Sequence, residues 1–369
     1  MKSFSDNYFM AECLKLAEKG AGKTHPNPMV GAVLVRKGEI ISCGFHKKSG
    51  LPHAEVIAIN SAQGNLKEAA LYVNLEPCSS YGKTPPCVEK ILHSGIKKVV
   101  IATRDPNPLH AGRGIKILKQ NGIKVKEGVL KKEAKHLNRV FLKHIVEKMP
   151  YVSVKAAQSL DGRLADFKGE SKWISSYEAR LYAHRKLRSE VSAIVVGINT
   201  VLKDNPHLTA RKKNGELFKT QPQIVVLDAG LRIPLTANVI KKGAGKTIVA
   251  ADKNLIKDKK RELLKKKDIR VLNVSSCNGK VHLKELLKKL YGEGICHILV
   301  EGGGCIIESF INDKLADEMY VFINNTILGG DYSVYNGKGF KISSAPKLKN
   351  TEYKIFEDTV LIKGELDYV

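Results

Sequence analysis

The sequence predicts two α/β domains in series, and three observations carry this. Apolar runs of strand length alternate with segments of helix length along the whole chain. The chain has 369 residues, too many for one typical domain and comfortable for two. Met149-Pro150 punctuates the alternation near its middle, and a fresh apolar run follows.

In the first half, residues 7–20 have helical spacing, with Tyr8, Met10, Leu14 and Ala17 on one face. MVGAVLVRKGEIISCGFH reads as a hairpin turning at Lys37-Gly38. HAEVIAINSA predicts a helix starting at or near His53, and ALYVNLEPC a strand stopping at Pro77. Residues 85–95 predict a helix, with Pro85 and Pro86 tolerated at its start. KKVVIATRDP predicts a strand and GRGIKILKQNG a helix. KKEAKHLNRVFLKHIVEK, with apolar Leu137, Val140, Phe141 and Ile145, predicts one helix that closes the first domain. The expected domains are 1–147 and 148–369.

In the second half, YVSVKAAQS, PQIVVLDAG, KTIVAADKN and EMYVFINNTILGG predict strands. SAIVVGINTVL predicts a strand and then a loop. CHILVEGGG predicts a strand running into a glycine loop, with a helix through about Asn312. No internal repeat links the halves.

Composition narrows the function classes. The 43% of hydrophobic residues suffices for sizeable cores. No apolar run approaches the ~20 residues of a membrane span. The N-terminus carries Asp6 and Glu12 and lacks the apolar core of a secretion signal, so a cytoplasmic protein is expected. Seven irregularly spaced cysteines argue for reduced thiols, metal ligands among them. The net charge of +25 invites a nucleic-acid reading. The lysines are scattered, as at Lys97-Lys98, Lys131-Lys132 and Lys265 to Lys267, and not interleaved with aromatics. A solvated basic surface with no nucleic-acid partner is therefore expected.

The strongest chemical signal is His53-Ala54-Glu55, then Pro77-Cys78, then Cys87. Zinc takes nitrogen and thiolate ligands, and a catalytic site has three protein ligands with a fourth position left open. His53, Cys78 and Cys87 supply three. Glu55 is then free to move protons between water, a ring nitrogen and departing ammonia. This His-x-Glu plus Pro-Cys pattern predicts zinc-dependent deamination of a nucleobase-like amine. Each residue alone is commonplace; the joint pattern is not. A zinc-stabilised scaffold would instead require a fourth protein ligand. In the second half, VEGGGCIIESF places glycines where backbone amides and a helix start suit a phosphate. No G-x-G-x-x-G fingerprint follows the first strand there.

Two residues usually separate the cysteines of nucleobase deaminases, whereas here Cys78 and Cys87 enclose SSYGKTPP. With THPNPMVGAVLV, GLPHAEVIAI, LEPCSSYGKTPPC and RDPNPLHAGRGI, the first half resembles the deaminase half of the bifunctional riboflavin-biosynthesis deaminase–reductases. VKAAQSLDGRLA, GESKWISS, VGINTVLKDNPHLTAR and VEGGG resemble the reductase half. The resemblance implies a cytidine-deaminase-like three-layer α/β/α domain followed by a dihydrofolate-reductase-like α/β domain. It implies deamination of 2,5-diamino-6-ribosylamino-4(3H)-pyrimidinone 5′-phosphate, then NADPH-dependent reduction of the ribosyl group to ribityl, giving 5-amino-6-ribitylamino-uracil 5′-phosphate. A homo-oligomer is implied too. The alternative is an RNA or tRNA nucleobase deaminase with an accessory domain, against which the long cysteine spacing and the second half speak.

The resemblance also implies site residues. Cofactor contacts fall on Ala157, Trp173, Thr200, Asp204, Ala229, Gly303 and Gly304. Substrate contacts fall on Ser171, Arg188, Leu208, Arg211 and Glu301, the two arginines suiting a phosphate. Lys155 and Asp161 are expected to shape the site. Family members usually carry a His where this chain has Ser80, which puts one substrate contact in question. Asn27, His46 and Lys83 are further candidates for substrate contact.

Overall fold

A computed structural model describes residues 5–82, 84–108, 110–241, 246–255 and 258–368. The chain forms two compact units, Met1–Lys148 and Met149–Val369, so Lys148 joins the first unit, one residue past the expected boundary.

The first unit runs α1 (Asp6–Glu18), β1 (Gly31–Arg36), β2 (Glu39–Phe45), α2 (Ala54–Ser61), β3 (Ala70–Leu75), α3 (Cys87–His93), β4 (Lys98–Thr103), α4 (Arg113–Gln120), β5 (Lys124–Glu127), α5 (Lys131–Leu137) and α6 (Arg139–Val146). The sheet order is β2-β1-β3-β4-β5, antiparallel at β2-β1-β3 and parallel at β3-β4-β5. Alternation along the strands sorts side chains onto two faces. Ala32, Leu34, Leu71, Val73, Val99 and Ile101 meet α2, α3 and α4. Val33, Val35, Tyr72, Val100 and Ala102 meet α1 and α5 on the opposite side. The result is three layers. Lys37 and Gly38 turn the β1–β2 hairpin with φ of 52° and 82°, as a tight hairpin turn requires.

The single helix expected at the end of this unit is instead two, broken at Asn138. Asn138 is buried, its Oδ1 accepts the Met29 N–H at 2.8 Å, and its Nδ2 donates to the Met29 carbonyl at 2.9 Å. The helix yields there because the amide clamps a distant loop.

The second unit runs β6 (Tyr151–Gln158), α7 (Tyr177–Tyr182) continuing into a π turn (Ala183–Arg188), β7 (Ala193–Gly197), α8 (Ile198–Asp204), β8 (Gln223–Leu227), α9 (Asn238–Lys241), β9 (Thr247–Ala251), α10 (Asp258–Lys266), β10 (Arg270–Asn273), β11 (Ser276–Cys277), β12 (Lys280–Val281), α11 (Leu283–Gly292), β13 (His297–Glu301), α12 (Gly304–Asn312), β14 (Glu318–Asn324), β15 (Lys347–Phe356) and β16 (Thr359–Asp367). Its nine-stranded sheet has the order β10-β9-β8-β7-β13-β6-β14-β16-β15. The seven strands from β10 to β14 are mutually parallel, and β16 and β15 extend the sheet antiparallel. Leu283, Leu286, Leu287 and Leu290 of α11 cover one face together with α12. The helices from α7 to α10 cover the other.

The loop expected after β7 is a helix, α8. Ile198 and Val201, three residues apart, bury on the sheet, and Asn205 ends the helix in the left-handed conformation.

Candidate active sites

In the first unit, two helix starts and one strand end bring the reactive groups together. His53 is the N-cap of α2, and Glu55 lies in that helix's first turn. A Cβ on Gly44 of β2 would meet the Ala54 carbonyl at 2.5 Å, so only glycine lets α2 lie this close. Cys78 follows β3 across Pro77, and Cys87 opens α3.

The His53 Nδ1 stands 3.2 Å from the Cys87 Sγ and 3.5 Å from the Cys78 Sγ. The three ligand atoms lie within 4.8 Å of one another. Tetrahedral zinc with its usual bond lengths has nitrogen-to-sulfur edges of about 3.5 Å, so this donor set fits the ion. The Thr84 Oγ1 lies 3.4 Å from His53 Nε2, the outer partner that orients a metal-binding imidazole. The Cys78 thiol is held well below its ordinary range by its hydrogen bond with Cys87, with His53 and the Cys87 N–H at 3.2 Å adding to this. Deprotonated sulfur is the form a metal takes.

Glu55 is only 3% exposed, and its Oε2 has no hydrogen-bond partner. Burial, with the Cys78 charge beside it, pushes its carboxyl up to about 7. It can therefore hold or release a proton at neutral pH.

The candidates Asn27 and His46 prove to be a pair. The Asn27 Nδ2 lies 3.2 Å from the His46 Nε2, and the His46 Nδ1 lies 3.2 Å from the Pro52 carbonyl. The His46 ring packs edge-on against His53, 5.3 Å between centroids. His46 is buried behind the site, leaving Asn27 as the more open of the two. Ser80 meets a partner that its sequence neighbourhood does not show. The His110 Nδ1, from the loop before α4, stands 3.3 Å from its Oγ. Lys83 lies outside the described residues.

Glu76 is a positioning residue that sequence reasoning missed. It is buried, its Oε2 accepts the N–H groups of Asp105 and Gly112, and its Oε1 accepts that of Ile115. One carboxylate thus fixes both ends of the loop that carries His110. α4 presses in so closely that a Cβ on Gly114 would meet the Pro77 carbonyl at 2.2 Å. Its only signal was an acidic residue just before Pro77-Cys78; its partners are 29, 36 and 39 residues away.

In the second unit, a cleft of about 1540 Å³ opens at the C-terminal ends of the parallel strands, where open α/β sheets bind ligands. Lys155, Ala157, Ser171, Trp173, Arg188, Thr200, Asp204, Leu208, Arg211, Glu301, Gly303 and Gly304 all line it. Ala229 does not. It is buried in the core, where its carbonyl accepts the Asp252 N–H, and Leu227 and Arg232 on either side reach the wall instead. Trp173 is 72% exposed, with the Arg180 guanidinium 4.4 Å over its ring, so it is a wall and not core.

At one end, Arg188 grips Glu301 through two bonds of 2.8 and 2.6 Å and donates to the Thr209 carbonyl at 3.1 Å. Burial opposes ionisation of Glu301, but the Arg188 charge and hydrogen bonds outweigh it and hold the carboxyl at about 2. Burial lowers the pKa of Lys155, only partly offset by Glu301. Its ammonium lies over the Phe322 ring at 5.7 Å. His184, which sequence reasoning also missed, lines the same end. Burial and the Arg188 charge push it down to about 4, so it is neutral. Asp161 works from outside the cleft. It accepts the Ser159 hydroxyl at 2.5 Å and the N–H groups of Leu328 and Gly329 at 3.1 and 2.8 Å, tying the loop after β6 to the loop after β14.

At the centre of the cleft, the glycine loop ends β13 and opens α12. No neighbouring atom would meet a Cβ on Gly303, so the space before the helix start is open. That cradle, with free amides and the positive end of a helix, fits a cofactor pyrophosphate.

Fold and sites thus define a zinc-binding deaminase unit joined to a unit with a nucleotide cleft. Residues 3–103 match the family model of the cytidine and deoxycytidylate deaminase zinc-binding region, and residues 150–362 match the RibD C-terminal domain. The riboflavin biosynthesis protein RibD of Aquifex aeolicus is 46% identical over 329 residues, 89% of each chain. The solved structure of Acinetobacter baumannii RibD superimposes with a TM-score of 0.88 at 35% identity, covering 98% of this chain and 99% of that one. A deaminase/reductase structure from Thermotoga maritima gives a TM-score of 0.85 at 38% identity, covering 98% of both chains. The chain belongs to the RibD family of riboflavin biosynthesis proteins. The expected fold, a cytidine-deaminase-like domain followed by a reductase domain, holds.

Proposed function

We propose that the first unit deaminates the pyrimidine ring of a diaminopyrimidinone ribosyl phosphate, and that the second unit then reduces its ribosyl group to ribityl. The protein is a bifunctional zinc-dependent deaminase and NADPH-dependent reductase of riboflavin biosynthesis. The observation that carries the site assignment is the His53–Cys78–Cys87 triangle, with the buried Glu55 carboxyl beside it, its Oε2 unpartnered. His53, Cys78 and Cys87 hold the zinc. When bound, the ion supplies a water acidic enough to react near neutrality. Glu55 moves protons, first to the ring nitrogen and then to the departing amine. Asn27 orients the base from the loop that Asn138 clamps.

In the reductase cleft, Arg211, Ser171 and Leu208 hold the ribosyl phosphate, and the Arg188–Glu301 pair fixes the sugar. NADPH supplies the hydride. Ala157, Trp173, Thr200, Asp204, Gly303 and Gly304 orient the cofactor. Lys155 donates the proton that accompanies reduction, because it is the buried cation of lowered pKa at the substrate end. The protein works in the cytoplasm on a small molecule, as a homo-oligomer and without a nucleic-acid partner. The RNA deaminase reading is not favoured.

Incubation with the diaminopyrimidine phosphate, zinc and NADPH, following ammonia release and NADPH oxidation separately, tests both halves. Glu55→Gln keeps the metal and loses deamination by at least about 100-fold, while reduction of pre-deaminated substrate continues. Retained deamination refutes the role of Glu55.

A further inference from the structure

Trp173 owes its place in the cleft wall to Arg180 of α7. The Arg180 guanidinium lies over the indole, 4.4 Å from Cζ to the ring centroid, and over the Tyr177 ring at 5.8 Å. Its Nη1 donates to the Ser175 carbonyl, in the loop that carries Trp173. The helix beneath is pinned. Ser176, its N-cap, donates its hydroxyl to the Phe356 carbonyl at 3.1 Å and its N–H to the Thr359 Oγ1 at 2.9 Å. The guanidinium therefore has a fixed seat and covers one face of the indole, the stacking that a delocalised cation favours. With that face covered and Trp173 still largely exposed, the other face is open to the cleft.

The charges at this end do not balance. No carboxylate pairs with Arg180 among the described residues, and Glu178 of the same helix goes to Lys213 at 3.6 Å. Asp204 and Asp331, acidic residues of the cleft wall, make no ion pair with Arg180. Glu301 is already gripped by Arg188. Burial lowers the pKa of Lys155; Glu301 opposes this, and the Arg188 and Arg180 charges add to it. Arg180 thus faces the same space as Lys155 and Glu301. His184 beside them is neutral. Arg180 is a surplus positive charge behind a flat apolar surface.

Hydride transfer requires the nicotinamide beside the sugar carbon that Arg188 and Glu301 hold, so the ring belongs at this end. The open indole face is a flat surface on which it can stack. NADPH passes a hydride, with its two electrons, to the substrate and becomes NADP+, whose ring carries a positive charge that the reduced ring lacks. A ring stacked about 3.5 Å from the indole stands about 8 Å from the guanidinium behind it. At that range like charges repel, less strongly than in a buried site because this wall is exposed. We propose that Arg180 makes the reductase cleft prefer reduced to oxidised cofactor, leaving a neutral nicotinamide undisturbed and repelling the cationic ring of NADP+ through Trp173. The oxidised cofactor then leaves readily and competes little with the next NADPH. The proposal rests on the reading that the second unit takes a nicotinamide dinucleotide.

Calorimetric titration of the full chain with NADPH and with NADP+ tests it without turnover, while the emission of Trp173, the single tryptophan, is followed in parallel. NADP+ does not absorb where indole emits, so its quenching of Trp173 reports ring contact. The native protein is expected to bind NADPH more tightly than NADP+ and to be quenched by both. Arg180→Gln keeps a planar group over the indole without the charge, and is expected to tighten NADP+ about 3- to 10-fold relative to NADPH. Arg180→Lys keeps the charge and should hold the native ratio within about twofold. If the native protein binds neither dinucleotide, the cofactor reading of this unit fails. If it binds NADP+ with no change in Trp173 emission, or if Arg180→Gln keeps the native ratio, the assignment of Arg180 is overturned. An Arg180→Gln protein that loses both cofactors alike shows a residue that only supports the wall, which equally overturns it.

Discussion

The zinc site and the reductase cleft achieve placement in opposite ways. The first gathers two helix starts and one strand end around a single point, and its reactive side chains sit in three short motifs. The second spreads along the ends of β8, β7, β13, β6 and β14, and uses amides, apolar walls and a few charges. A metal accepts few donor types at fixed distances, so each ligand is indispensable. An extended cofactor is held by many weak contacts, so single contributions are partial.

The sharpest way to break this contrast is to remove the metal. Dialysis against a chelator is expected to abolish ammonia release and to leave NADPH oxidation with pre-deaminated substrate unchanged. Loss of both activities would show that the two units share more than a chain. Next in size is Glu301→Gln, which strips the largely buried Arg188 of its carboxylate. An orphaned buried charge costs about 3–5 kcal/mol. The second unit should unfold at lower urea, read by Trp173, the single tryptophan, while deamination persists. Below that comes Asn138→Ala, which orphans the Met29 N–H and leaves the Met29 carbonyl to the Asn74 Nδ2 alone. Unsatisfied backbone groups cost about 1–3 kcal/mol, so the KM for deamination should rise and the reductase KM should not. An unchanged deaminase KM would show that the loop holds its place without the clamp.

The smallest expected effect is acid sensitivity of the reductase rim. The Asp161 carboxyl is held at about 2, below its ordinary 3.8, first by the Ser159 hydroxyl and then by the Leu328 and Gly329 amides. A depressed carboxylate gives stability that is fully present above the ordinary value and lost as pH falls through about 2. Protection of the Leu328 and Gly329 amides against exchange should therefore decline over that window. Protection that stays level through acid would place the tie elsewhere.

The same contrast explains what could be read from sequence. His53, Glu55, Cys78 and Cys87 were legible because the chemistry restricts residue type and spacing. The central strands of both sheets were legible as apolar runs, whereas β5, β10, β15 and β16 were not. Glu76 was not, because its partners are backbone N–H groups, which every residue carries. The break at Asn138 was invisible for the same reason: a polar residue inside a helical pattern ordinarily faces water, and this one is bonded to Met29. His110 met Ser80 only through the fold. Leu283, Leu286, Leu287 and Leu290 carried a helical repeat that identifies α11 once the core is known. The edge strand β15 is almost wholly exposed and so lacks the alternation that marks a half-buried strand.

Two of the three ties that Glu76 makes, at Asp105 and Gly112, give the deaminase unit a division of labour under mutation. The segment between them is closed at both ends by a carboxylate that reads only main chain, so its side chains can change without loosening Cys78. Residues such as His110 therefore sit where substrate preference can drift while the metal centre stays constant, and random variation in 106–111 should yield altered selectivity far more often than lost zinc.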